Sequence, residues 1–441
     1  MFPLYSATRA FRLAARLCLA STLGLAIGIG AGGNALTRFD LGLPAGQITG
    51  ISGVLNEDPG IISRGRVIAV LKLKEVSADR GLRVSARGEI TILFPPEYAE
   101  RLKEFGRGSS IFSNGTVSFG KSGPLFIADS LHVTKPAPPL EQFRTNACNF
   151  LIQRFNSSGT SWGGLALALL VGIRDNLDAE ISGLYRDAGC SYLLALSGMH
   201  LAIIASLIAF VLKRPLGQKA AALTGAFIIA IYCLLVGPMP SLYRSAIMYM
   251  IGVAAIVFSL KRDVLSVLSM AFIIQIALTP AAGNTISFIL SYLALAGILC
   301  VGEALNFIFR GKIPRLLLGP LSTSAGAFLM TAGVCSYYFT LLRPVGIVSG
   351  LVLVPLITVF MIGAIVWLCL NLIAPMLSGL ISPVLSLLYN LMDKTVSLAA
   401  HAPPLAAGFW PVLIISLALS VLIIWFAGRQ QAERNRFPAF T

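Results

Sequence analysis

The side chains able to do chemistry are few and scattered. The chain has three histidines, His132, His200 and His401, and seven cysteines, at 18, 148, 190, 233, 300, 335 and 369. No HxH, HExxH or CxxC spacing occurs and no Asp-rich cluster accompanies these residues, so neither a metallohydrolase site nor a zinc or redox centre can be assembled. No cofactor is implied. What remains is polar groups set in apolar stretches. Ser197, Gly198 and His200 follow the run Leu193-Leu194-Ala195-Leu196, and Arg244 opens another apolar stretch just after Ser241. An ionisable group inside a membrane segment is a transport hypothesis by default. The alternatives are a neutral His200 hydrogen-bonded across two helices, with Gly198 allowing close packing, and an Arg244 that snorkels to the headgroups. No nucleophile or metal partner accompanies His200, so its role would be transport and not catalysis.

The elements that must position these residues follow from composition. Of 441 residues, 56% are hydrophobic and only 12% charged, about half the charge of a soluble domain and the reverse of a disordered chain. A polytopic helical membrane protein fits, since each span takes roughly 20 mostly apolar residues. Leu13–Gly33, behind Arg9, Arg12 and Arg16, reads as a retained anchor or a signal peptide, the anchor being the better fit to its length. From residue 34 to 154 there are fifteen Lys or Arg, eleven Asp or Glu, and no spanning run. Alternating β-branched stretches at Ile48–Leu55, Arg66–Val76, Leu82–Leu93, Ser110–Val117 and Pro124–Val133 predict half-buried strands. A short helix is predicted between Pro95 and Gly106. Three strands, a helix and two strands is the order of an OB-like, all-β barrel.

Beyond Ser161 the apolar runs predict spans near 190–212, 218–236, 242–259, 264–280, 285–309, 316–340, 345–370, 377–400 and 408–427, ten with the anchor. The run at 377–400 contains Asp393 and Lys394 and reads either as a span or as a re-entrant helix. Cytoplasmic loops collect Lys and Arg. The groups Lys213/Arg214/Lys219, Lys261/Arg262, Arg310/Lys312/Arg315 and Arg429/Arg434/Arg436 all fall on the side of the N-terminal arginines. The barrel is then extracytoplasmic and both termini cytoplasmic. These basic residues also account for much of the net charge of +15, whereas the 34–154 segment carries only +4, so charge alone says little about nucleic acid. The expected organisation is an anchor (1–33), the barrel (34–150), an interfacial or re-entrant segment (151–189), a helical domain (190–428) and a cytoplasmic tail (429–441). In the interfacial segment the apolar run 163–173 is too short to span. Leu177, Ile181, Leu184, Tyr185 and Ala188 then share a helical face, with Asp175 as N-cap and Gly189 as stop. Cys148 and Cys190 flank this segment on the outer side, where an oxidising compartment would let them pair.

Several of these runs resemble the ComEC competence proteins. They are Leu170–Leu177 with Arg174, then Tyr185-Arg186-Asp187-Ala188-Gly189, then Leu193-Leu194-Ala195-Leu196-Ser197-Gly198-Met199-His200. Pro240–Met248, containing Arg244, and Ser287–Tyr292 match too. Departures are Tyr192 where the family has a second histidine, Ile173 in place of an Asp, and an Asn-free Gly350–Pro355. The resemblance implies a bacterial inner-membrane channel that passes single-stranded DNA during natural transformation, not an enzyme. Ser197, Gly198, His200, Arg174, Arg186 and Arg244 would be the channel residues, and the lipid bilayer and single-stranded DNA the partners. Long members carry a C-terminal metallo-β-lactamase-like nuclease. The 14 residues after the last expected span hold none, so a separate nuclease, a cytoplasmic motor or single-strand-binding proteins, and a homo-oligomer, enter as expected partners. A small-solute transporter coupled through His200 or Glu303, and a scaffold whose barrel binds a protein, are the rival readings. Of Phe94, Phe105, Phe112, Phe119 and Phe126, most should be barrel core, leaving at most a few to stack bases.

Overall fold

The computed structural model describes residues 41–436, except 62–65, 79–81, 99–100, 103–104, 121–122, 158, 238, 261–263, 280–282, 284 and 407. The expected anchor at 13–33 lies outside the described residues. The described chain divides into two compact units at Ser158/Gly159.

The first unit is a barrel. Its strands are β1 (Ile48–Leu55), β2 (Val67–Ala78), β3 (Glu89–Phe94), β4 (Ser110–Gly120), β5 (Gly123–Ala128) and β6 (His132–Lys135). Five of them close a ring in the order β1–β2–β3–β5–β4–β1, with only β3–β5 parallel. Alternation along β3 sends Ile90, Ile92 and Phe94 inward, where they meet Ile51, Leu71, Ile111 and Phe126. Closure requires β1 to pair on both edges, and it bends at a register shift beside Gly53. A Cβ there would collide with the Lys72 carbonyl, so the bulge depends on glycine. The strand expected over Pro124–Val133 is two strands. Between them Asp129 N–H donates to the Asn114 carbonyl (2.8 Å) and Ser113 Oγ to the Ser130 carbonyl (2.6 Å). Of the helix expected between Pro95 and Gly106, the described residues show a 3₁₀ turn at Pro96–Tyr98 and helical backbone at 101–102. Helix α1 (Pro139–Ser157) completes the unit, its Arg144 paired with Asp58 and, at 3.1 Å, with Glu141.

The second unit is helical: α2 (Gly163–Leu170), α3 (Ala179–Asp187), α4 (Ser191–Leu194), α5 (Gly198–Val236), α6 (Pro240–Val257), α7 (Val264–Leu278), α8 (Ile286–Gly297), α9 (Glu303–Phe309), α10 (Arg315–Phe339), α11 (Gly346–Ile373), α12 (Pro375–Ala400) and α13 (Phe409–Arg436). Among the described residues six helices are long and apolar enough to cross a membrane, α8 and α9 counting as one, and α6 and α7 are shorter apolar helices. Helix α5 is two helices merged across a kink. After Pro215 the chain passes through Gly217 at φ 75°, ψ 173°, which breaks the helix where two separate spans were expected. Helices α8 and α9 join through a π turn, Ile298–Gly302. There the backbone comes against α10 so closely that a Cβ on Gly326 would lie 2.5 Å from the Gly297 carbonyl and 2.7 Å from the Gly302 nitrogen.

The short helix α2 is buried nearly throughout. Trp162, just before it, packs edge-to-face on Trp367 of α11, with ring centroids 5.1 Å apart. The cap of α3 is Asp178 and not Asp175: its Oδ1 accepts the Glu180 N–H at 3.0 Å, while Arg174–Leu177 forms a turn. Gly189 stops α3 at φ 70° as expected.

Candidate transport site

The span expected from residue 190 starts at Gly198. Helix α4 ends at Leu194, Ala195 is extended (ψ 131°), and Ser197 is the extended N-cap of α5 (φ −131°, ψ 175°). His200 therefore sits in the first turn of its helix and not in the middle of a 23-residue span. Its Nδ1 accepts the Ser197 backbone N–H at 3.2 Å and lies 3.0 Å from Ser197 Oγ. A backbone N–H can only donate, so a neutral His200 carries its proton on Nε2. That atom is enclosed without a hydrogen-bond partner in a side chain with no exposure, the Leu193 carbonyl being close to the ring.

Arg244 of α6 is turned inward, 7% exposed, and does not snorkel. Its Nη1 donates to the Ser291 carbonyl (3.3 Å), and the guanidinium stands 5.6 Å from the Tyr292 ring centroid. Its Nε is buried without a partner, and among the described residues no carboxylate neutralises it. Burying an unpaired charge costs several kcal/mol, so this is an expensive feature to retain. Helices α6 and α8 are joined further by Ser241 Oγ and Ser291 Oγ, 3.1 Å apart, and Tyr292 Oη donates to Gln275 Oε1 of α7 at 2.9 Å. Gly198 connects this cluster to the break: a Cβ there would lie 2.8 Å from Ser245 Oγ and 3.6 Å from Arg244 Nη2. Arg174 holds the other side of the break, its Nη2 donating to the Leu194 carbonyl at 3.1 Å, and its partial burial lowers its pKa. Gly172 (φ 83°) packs against Leu196, where a Cβ would come within 2.7 Å of Cδ1.

The structure thus brings Ser197, Gly198, His200 and Arg244 together, with Arg174 bracing the segment before them. Arg186 is not among them. It is exposed, 3.6 Å from Asp187, whose real partner is Arg343 (Nη2–Oδ1 3.0 Å, Nη1 to the Asp187 carbonyl 2.8 Å). Cys148 and Cys190 lie in different units. Cys190 is buried, its Sγ 3.1 Å from Ser349 Oγ. Burial raises its pKa, which that hydrogen bond partly offsets; burial likewise raises Cys148 against the pull of Arg144.

Sequence runs far apart, at 193–200, 240–248 and 287–292, therefore meet around one guanidinium. The family model for competence proteins matches residues 169–431, which takes in every member of this cluster. The chain belongs to the competence protein family. It is a polytopic helical membrane protein with an N-terminal barrel, and the barrel lies before the matched segment. The chain is also 24% identical over 275 residues to ComE operon protein 3 of Bacillus subtilis (strain 168), covering 58% of this chain and 34% of that protein. It matches about a third of the length of that relative. Two of the three departures from the expected pattern touch each other: a Cβ on Gly350 would lie 2.7 Å from Tyr192 Oη.

A separate feature lies on the barrel surface. Phe94 and Phe126 are core, and the Phe119 side chain lies outside the described residues. Phe105 and Phe112 instead line two grooves of about 270 and 190 Å³ that share His132.

Proposed function

We propose that this chain forms an inner-membrane channel for single-stranded DNA uptake in natural transformation. Family membership supports the reading, and the buried Arg244 without a counter-charge, beside the broken start of α5, is the observation that carries it. A polyanion cannot cross hydrocarbon and needs a path lined by positive or hydrogen-bonding groups. Arg244 would meet the phosphates, and Ser197, Gly198 and His200 would form the narrow part, His200 offering its Nε2–H donor without fixing a charge. Arg244 and His200 are both covered, so passage in this reading requires α4 and the Ala195–Ser197 link to move, with Arg174 and its bond to Leu194 acting as a latch.

In this reading the barrel is extracytoplasmic and the C-terminus cytoplasmic. Deleting the gene in a transformable host should abolish internalisation of purified DNA while surface binding persists; normal transformation would overturn the channel. A cytoplasm-active reporter fused after Phe440 should be active, and its silence at normal expression would overturn the orientation.

A further inference from the structure

We infer that the outer face of the barrel at Phe112 and His132 is a stacking site for unpaired nucleobases, with Arg83 and Arg101 contacting the flanking phosphates. The Phe112 and His132 rings are neighbours, with centroids 6.5 Å apart and planes inclined by 35°. They sit opposite each other in the β4–β6 ladder, where Phe112 pairs with His132. One groove is lined by this pair with Ser52, Glu75, Ser77 and Arg83, and the other by His132 with Phe105 and Arg101. Each groove therefore holds one arginine beside the shared His132. His132 is exposed, Phe112 half-buried, and both arginines are exposed, so the rings and the charges are available to a ligand.

Adjacent exposed rings with an arginine in each groove suit a strand that offers flat bases and phosphates together. An acidic peptide would be better served by clustered cations. Here Arg83 and Arg101 line different grooves, Glu75 stands in one of them, and the 34–154 segment carries only +4. Duplex DNA hides its base faces from such rings, so the ligand class is a single strand. The inference deepens the channel reading and rests on it for the biological source of the strand, but the binding is measurable without transport.

The test uses the full chain in a neutral detergent and a fluorescein-labelled oligothymidylate, followed by anisotropy. Phe112→Leu, which keeps apolar volume but removes the ring, should weaken binding about tenfold, as should His132→Ala, while Phe112→Trp retains it. Arg83→Gln and Arg101→Gln should each reduce the slope of log affinity against log salt by about 0.7. Wild-type affinity in both Phe112→Leu and His132→Ala would overturn the site. So would displacement of the strand by polyglutamate as readily as by unlabelled strand, which would make the face an acidic-protein surface. Lost transformation on gene deletion with unchanged binding by these variants sinks the stacking site alone. Normal transformation with Phe112-dependent binding sinks the channel alone.

Discussion

Replacing Arg244 by Met separates a structural from a functional arginine. The side chains are similar in length, so the exchange removes the charge and leaves the packing nearly intact. Two interactions are lost. The charge-assisted hydrogen bond to the Ser291 carbonyl is worth about 1.5–3 kcal/mol, and the cation–π contact with Tyr292 about 0.5–2 kcal/mol. Against these stands the cost of an ion held away from water with no carboxylate beside it, several kcal/mol by the same reasoning that makes buried ion pairs replaceable by apolar residues. The opposing contributions are of equal size, so the net change should stay within about 2 kcal/mol, of either sign. Thermal unfolding of the purified protein in detergent should then move by only a few degrees, while uptake of labelled DNA by cells with matched protein levels falls at least tenfold. A lysine at 244 should retain part of the uptake, because it restores the charge without the planar fork. A large loss of thermal stability in Arg244→Met would refute the balance above and return Arg244 to a structural role. Undiminished uptake would refute its contact with the strand.

Three further outcomes are expected. Gly172→Ala should destabilise by about 1–2 kcal/mol, because position 172 has φ 83° and the new methyl meets Leu196; unfolding at the wild-type temperature would refute this. Arg343→Gln should loosen the end of α3, since the residue holds both the carbonyl and the carboxylate of Asp187, whereas exposed Arg186→Gln should change stability by less than about 0.5 kcal/mol; equal hydrogen exchange across residues 185–190 in the two variants would contradict it. Maleimide should modify Cys148 faster than the fully covered Cys190. Only the thiolate reacts and burial raises both pKa values, so both rates should climb as pH rises past the ordinary thiol range, Cys190 remaining the slower; equal rates by mass spectrometry would refute the burial of Cys190.

The parts of this fold that were legible in the sequence are those governed by local period. Strand β3 alternates Ile90, Ile92 and Phe94 inward, so it announces itself, and the Pro215–Gly217 break divides α5 where the charged residues already suggested a loop. Hydropathy could not find the true start of α5. Leu193, Leu194, Ala195 and Leu196 are as apolar as the helix that follows, and only backbone geometry, fixed by Ser197 capping and the hold of Arg174 on Leu194, reveals the interruption. Asp175 and Asp178 are equally good caps by type, and which one caps α3 rests on which carboxylate reaches a free N–H. Asp187 is adjacent to Arg186 and 156 residues from its partner Arg343, and no sequence period reports a contact over that distance. Ser291 and Tyr292 lay within a run picked out by resemblance, but their partnership with Arg244 and Gln275 belongs to the packing of α6, α7 and α8 alone.

The π turn between α8 and α9 has a mechanical consequence. A π turn holds one residue more than an α-helix of the same length needs, and here it lies between Ser291, which grips Arg244, and Glu303. If the surplus residue is taken up into regular α-helix, everything on one side rotates by about 100° and advances about 1.5 Å relative to the other. Gly297, Gly302 and Gly326 leave no side chains to interlock at that point, so the screw motion meets backbone surfaces and no knobs. The helix that closes over the guanidinium is thereby built like a threaded bolt with one residue of slack, and a single-residue deletion within 298–301 would remove the slack while leaving the composition of the span almost unchanged.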